Sequence, residues 1–140
     1  KSRERMKELL DYVGEHFGER ITVEDAAGLC CYSSSHFMKY FKQYMGMPFV
    51  EYLNGYRLFQ AGGMLLATGE PVTEVAERCG FENLSYFNRL FKRRYGCTPG
   101  EYRRRKAERG GEAGTEKKFG EGTGVMPGER TEKIAGEKRE

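Results

Sequence analysis

The chain has only two histidines, His16 and His36, far apart in sequence, and its four cysteines (Cys30, Cys31, Cys79 and Cys97) form no C-x-x-C pair. A metal site needs clustered ligands, so no metal is expected and the thiols read as reduced and mostly packed. Lacking a nucleophile motif and a phosphate-binding glycine loop as well, the sequence offers an enzyme no catalytic cluster, and neither catalytic residues nor a cofactor are expected. No apolar run approaches the roughly 18 residues of a membrane span, and the N-terminus lacks the order of a signal peptide. These absences point to a soluble, cytoplasmic protein with no membrane partner. The chain opens at Lys1, directly in a helical pattern, which suggests a piece of a longer protein. Acidic residues are missing from two further places, between Ser33 and Met45 and between Asn83 and Gly96.

What is present is enough apolar content, 38% of 140 residues, for one modest core or two small ones sharing a connecting element. Residues 1 to 106 read as helix after helix with no sustained period-2 alternation, so an all-α fold is expected. Met6, Leu9, Leu10, Val13 and Phe17 give an amphipathic first helix that stops near Gly18. Thr22, with Asp25 three residues on, caps a short second helix, Ser33 caps a third, and Thr98 before Pro99 caps the last. From Ala107 the composition shifts to eight glycines and eight acids in 34 residues, with few large apolar groups. Such a segment cannot offset the entropy of ordering itself, so 107–140 reads as a disordered tail. Its net charge of about −1 speaks against a nucleic-acid-binding arm.

An internal repeat carries the most information. Ala27, Cys30 and Tyr32 match Ala76, Cys79 and Phe81 at an offset of 49. Phe37, Phe41, Lys42, Gly46, Glu51 and Tyr52 then match Phe87, Phe91, Lys92, Gly96, Glu101 and Tyr102 at an offset of 50. Each copy is a short helix, a tight turn and a longer helix, the pattern of a helix-turn-helix unit. The expected organisation is a first subdomain over 1–47, a linker helix over 48–67, a second subdomain over 68–106 and the tail. A linker of about 20 residues spans roughly 30 Å, against about 34 Å between successive major grooves on one face of a duplex.

The longer helix of each copy, about 33–45 and 83–95, has two unlike faces. Phe37, Tyr40, Phe41 and Tyr44 form the core face of the first, opposite Ser35, Met38, Lys39 and Lys42, with Ser34 at its start. Phe87, Leu90 and Phe91 form the core face of the second, opposite Ser85, Asn88, Arg89 and Lys92, with Leu84 at its start. Between Ser85 and Lys106 stand eight Lys or Arg and one acid, Glu101, although the formal net charge of the chain is only +3. A polyanionic partner is therefore expected, and double-stranded DNA suits two slim, acid-free helices. Arg89 can pair with guanine O6 and N7, and Asn88 with adenine. Lys42, Lys92 and Arg93 suit phosphates, which fix register without reading sequence.

Arg57, Ala61, Leu65, Leu66, Val75, Ala76, Gly80, Phe81, Tyr86, Phe87, Phe91, Lys92, Gly96, Pro99, Tyr102 and Arg103 stand at the spacing of a known signature. Through them, residues 4 to 105 resemble the C-terminal DNA-binding domain of the AraC/XylS family of bacterial transcription regulators. The resemblance implies seven helices, with the third and sixth as recognition helices and the fourth as linker. It implies base-facing positions at Ser34, Ser35, Met38 and Lys39, and at Leu84, Ser85, Asn88 and Arg89. It also implies an upstream effector or receiver domain, with RNA polymerase as a candidate partner. Three residues or pairs depart from a simple copy. Met38 and Leu84 are apolar where polar readers are common, which leaves contact with thymine methyls. Cys31 stands where the second copy has Gly80, a strained position if the turn is left-handed. Gly62-Gly63 is expected to interrupt the linker helix at about 1 kcal/mol per glycine. Arg57 suits an internal ion pair better than a phosphate contact. A protein-interaction module on the same scaffold would carry acids on the third and sixth helices, and those are the acid-free segments.

Overall fold

Seven α-helices make up the computed structural model, which describes residues 2–108. They are α1 (Ser2–His16), α2 (Val23–Leu29), α3 (Ser34–Met45), α4 (Phe49–Ala67), α5 (Val72–Arg78), α6 (Leu84–Tyr95) and α7 (Pro99–Glu108). No strand occurs among the described residues, so the all-α expectation holds. The chain divides into two compact units, the first ending at Tyr56 and the second starting at Arg57, so that α4 contributes its first half to one and its second half to the other. Helix α7 runs through Ala107 and Glu108; the rest of the expected tail lies outside the described residues.

Side-chain caps explain where the helices begin. At α2 the Asp25 N–H donates to Thr22 Oγ1 at 2.9 Å and the Thr22 N–H donates to the Asp25 carboxylate at 3.0 Å. These bonds satisfy donors that a helix start leaves unpaired, and they hold the Asp25 carboxyl below its usual range. Ser33 Oγ accepts from the His36 N–H at 3.2 Å to start α3, and Asn83 Oδ1 accepts from the Tyr86 N–H at 2.8 Å to start α6. A reciprocal Thr98–Glu101 pair, at 3.1 and 3.0 Å, starts α7. Helices α3 and α6 both stop at a left-handed glycine, Gly46 (φ 83°) and Gly96 (φ 80°), whose N–H groups bond to Lys42 O and Lys92 O.

The two helix-turn-helix turns are hydrogen-bonded alike. Tyr32 N donates to Ala27 O at 3.0 Å and Cys31 N to Gly28 O at 3.1 Å; Phe81 N donates to Ala76 O at 2.9 Å and Gly80 N to Glu77 O at 3.0 Å. Such six-to-one closure requires a left-handed residue in the turn. Gly80 (φ 93°) adopts it freely, whereas Cys31 (φ 62°) does so with a Cβ, as its place in the repeat led us to expect. Cys31→Gly is therefore expected to stabilise the first unit by about 0.5–1 kcal/mol, the left-handed penalty less glycine's extra chain entropy. A thermal melt that falls rather than rises would contradict the strain.

In the first unit Met6, Leu9 and Val13 of α1, Ala26 and Ala27 of α2, Phe37, Phe41 and Met45 of α3, and Phe49, Tyr52 and Leu53 of α4 form one buried cluster. Phe49 meets Phe41 edge to face at 5.3 Å and Phe37 at 5.6 Å. Tyr40 and Tyr44, expected in that core, instead lie half-buried on its flank. The reason is the helical period: Phe37, Phe41 and Met45 at i, i+4 and i+8 make the seam, and residues three or seven along from Phe37 are rotated towards its edge. In the second unit Leu58, Ala61 and Leu65 of α4 are buried, as are Val75 and Ala76 of α5 and Phe87 and Phe91 of α6.

Gly62 and Gly63 do not interrupt α4, which is helical throughout Phe49–Ala67. A Cβ on Gly62 would come within 2.8 Å of Tyr95 Oη and 3.2 Å of its Cζ, while at Gly63 nothing lies within 4 Å. Tyr95 crosses the helix there to donate from Oη to Leu58 O at 3.3 Å, and burial pushes its phenol up to about 12. The first glycine thus makes room for a tyrosine, and the second does not. Gly63→Ala is expected to stabilise the chain by about 1 kcal/mol through helix propensity. Gly62→Ala should destabilise it, because overpacking costs about 1–3 kcal/mol against the same propensity gain. Urea melts of the two variants should shift in opposite directions, and a shared gain would show that Tyr95 yields without cost.

Candidate nucleic-acid interface

The same design builds the outward face of α3 and α6. In each, a polar cap fixes the start, a left-handed glycine fixes the end, and two fully buried phenylalanines four residues apart lock the rotation. The opposite face must then point away from the core. On α3 that face exposes Ser35, Met38, Lys39 and Lys42, with Ser34 half-buried at the first turn. On α6 it exposes Leu84, Ser85, Arg89, Lys92 and Arg93, with Asn88 half-buried. The two apolar residues among them are well open, Met38 at 49% and Leu84 at 40%. Neither helix carries an acid, so no carboxylate competes with a phosphate on either face.

Burial sorts the positive stretch into two groups. Arg89, Lys92, Arg93, Arg104 and Arg105 are exposed, whereas Arg94, Arg103 and Lys106 are half-buried. Arg103 caps α4: its Nε donates to Leu65 O at 2.9 Å and its Nη2 to Thr68 O at 3.2 Å, placing a cation on the negative end of that helix. The Lys106 ammonium lies 5.5 Å from the centre of the Tyr102 ring. Arg57 is also half-buried, and that burial lowers the basicity of its guanidinium, opposed by the nearby Cys79 and Glu82. His36 turns its ring to Tyr32, edge to face at 4.3 Å.

Three of the four cysteines are buried and all four are free; burial raises the Cys30 thiol and pushes that of Cys79 up to about 11, which keeps both protonated and unreactive. Among the described residues no group of three His, Cys, Asp or Glu could hold a metal ion, and no helix is long and apolar enough to cross a membrane.

Sequence reasoning missed two contacts on this surface. The Arg89 guanidinium stands over the Tyr86 ring, 5.3 Å from its centre, and Arg103 is tied to α4 across 38 residues of sequence. An i, i+3 Tyr–Arg pair on a helix was a usable signal for the first. No local signal existed for the second.

Comparison with known proteins agrees with this geometry. A family model described as a helix-turn-helix domain matches residues 26–105. The transcriptional activator RhaS of Enterobacter sp. (strain 638) is 34% identical over 99 residues, 71% of this chain and 36% of that protein. The bifunctional transcriptional activator and DNA repair enzyme AdaA of Bacillus subtilis is 33% identical over 95 residues, 68% of this chain and 45% of that protein. The DNA-binding domain of the transcriptional factor AdpA, solved in complex with a target DNA, superposes with a TM-score of 0.72 at 30% identity, covering 74% of this chain and 94% of that domain. The C-terminal domain of the response regulator yesN from Fusobacterium nucleatum gives a TM-score of 0.67 at 31% identity, covering 70% and 96%. This chain spans about a third of the length of RhaS and of the Escherichia coli regulator YpdC, at 36% and 33%. With two matched turns, seven helices in family order and near-complete coverage of solved domains of the same kind, the chain belongs to the AraC/XylS family of helix-turn-helix transcription regulators, through its DNA-binding domain.

Proposed function

We propose that this chain reads double-stranded DNA in a sequence-specific way through α3 and α6, with the second unit supplying most of the discrimination. The observation that carries the reading is the exposed, acid-free face of α6, where Arg89 and Asn88 stand among Leu84, Ser85, Lys92 and Arg93. Arg89 offers a rigid fork of donors that matches guanine O6 and N7, and Asn88 offers a donor and an acceptor for adenine, each about 1–3 kcal/mol of discrimination. Leu84 and Met38 meet thymine methyls. Ser34, Ser35 and Lys39 complete the base-facing set of the first unit, a weaker one because hydroxyls accept either partner. Lys42, Lys92 and Arg93 hold phosphates and set register.

In this reading residues 1–47 and 68–106 are the two reading subdomains and 48–67 is the linker. The solved relatives that are C-terminal domains of response regulators support an upstream receiver or effector domain in the whole protein; with it go RNA polymerase as a candidate partner and a non-enzymatic role in the cytoplasm. Selection of binding sites from random duplex DNA at two salt concentrations tests the assignment. A site with one sharply defined half and one degenerate half is expected, with affinity falling steeply with salt. Two equally sharp halves would overturn the ranking of the units, and no enrichment of any sequence would overturn the reading itself.

A further inference from the structure

Resting on that reading of Arg89, we infer that Tyr86 is a positioning residue that holds the Arg89 guanidinium in its reading orientation. Three observations converge on the ring. The Arg89 Cζ lies 5.3 Å from its centre, within the range of a cation–π contact. The buried Phe81 stands beside it, with centroids 6.5 Å apart and planes tilted by 56°. The Tyr86 N–H is fixed by Asn83 Oδ1 at 2.8 Å, so the residue belongs to the ordered first turn of α6. Tyr86 is itself 37% exposed, so the platform it offers is on the surface.

Helix geometry gives the contact its direction. Side chains of an α-helix lean towards its N-terminus, so Arg89 drapes over the turn that carries Tyr86. That turn also holds Leu84 and Ser85, and the N-terminal part of a recognition helix is where base edges are met. An arginine has many rotamers, and freezing them on binding reduces affinity; a ring that already selects one lowers that cost. The corresponding place in the first unit, at the repeat offset of 50, is His36. Its ring meets Tyr32 edge to face at 4.3 Å and lies parallel to Tyr40 at 6.5 Å, a cluster of rings around the residue three before Lys39. The two units therefore differ in how their reading cation is supported as well as in which cation it is.

The test uses the full chain and the duplex it selects from random DNA, together with duplexes altered at the base pair that Arg89→Ala relaxes. Leucine is a strong helix former and position 86 is a surface one, so Tyr86→Leu should fold, with its Tm and its affinity for non-specific DNA unchanged. Its discrimination at that base pair should drop about two- to fivefold, the scale of an exposed cation–π contact. Tyr86→Phe should keep full discrimination, because the ring and not the hydroxyl is required. In an Arg89→Ala background, Tyr86→Leu should cost nothing more. Full discrimination in Tyr86→Leu while Arg89→Ala loses it overturns this inference and leaves the reading of Arg89 standing. Equal loss in Tyr86→Phe and Tyr86→Leu assigns the effect to the hydroxyl and also overturns it. If Arg89→Ala itself relaxes no base pair, both the reading and the inference fall.

Discussion

Phe91→Ala is expected to bring the second unit to the edge of unfolding. Phe91 is fully buried, stacks on Tyr95 with centroids 4.3 Å apart, and meets Tyr102 edge to face at 5.5 Å and Phe87 at 5.7 Å. Removing such a ring costs about 3–5 kcal/mol, the lost transfer energy plus the cavity left behind. A whole small domain is stable by only about 5–15 kcal/mol, and one of this size lies near the bottom of that range. Collapse around the cavity offers little relief, because Tyr95 is tied to Leu58 O and lies against Gly62 on the other side. The outward face of α6 depends on the same ring, which fixes the rotation of the helix, so sequence-specific binding should weaken together with helicity. Circular dichroism against urea, read beside a duplex-binding titration, checks both. A variant that melts within about 1 kcal/mol of the parent would show that the aromatic cluster is more plastic than its packing implies.

That cluster also marks the limit of what local sequence could say. The repeat made two helix-turn-helix units legible, since matched spacing survives without any knowledge of contacts. Caps were legible for the same reason: Thr22 with Asp25, Ser33 with His36, and Thr98 with Pro99 announce themselves within four residues. Even the strain at Cys31 could be read, from its alignment with Gly80. What escaped depended on partners far along the chain. Gly62 looked like a defect because its reason, Tyr95, stands 33 residues later, and a helix-propensity argument sees only the glycine. Arg103 looked like one more surface cation until its two bonds to Leu65 O and Thr68 O placed it at the end of α4. Tyr40 and Tyr44 were assigned to the core because periodicity gives the direction of an apolar face but not its width. For the outward face of α3 and α6 the converse holds: periodicity gave its direction, and burial then separated the exposed Arg89 from the half-buried Asn88.

Arg89→Ala and Lys92→Ala should divide sharply, although both remove one exposed cation from the same helix. A guanidinium paired with guanine contributes about 1–3 kcal/mol of discrimination, so Arg89→Ala should weaken the selected duplex by about 5- to 150-fold. On the proposed reading the lost contact reads a base, so duplexes already mismatched there should lose far less, and specificity at one or two positions should relax. In the proposed reading Lys92, three residues further along α6, meets the backbone instead of base edges. Lys92→Ala should therefore weaken every duplex alike, and the slope of log K against log salt should flatten by about 0.9, one released counterion per phosphate. Helix stability separates these effects from unfolding: both side chains are solvent-facing, and alanine is the better helix former, so neither variant should melt early. A titration matrix of two variants, two duplexes and two salt concentrations contains the whole test. Uniform loss in both variants would place Arg89 on the backbone and leave α6 a docking helix with no direct readout from its strongest side chain, in which case sequence preference would have to come from DNA shape.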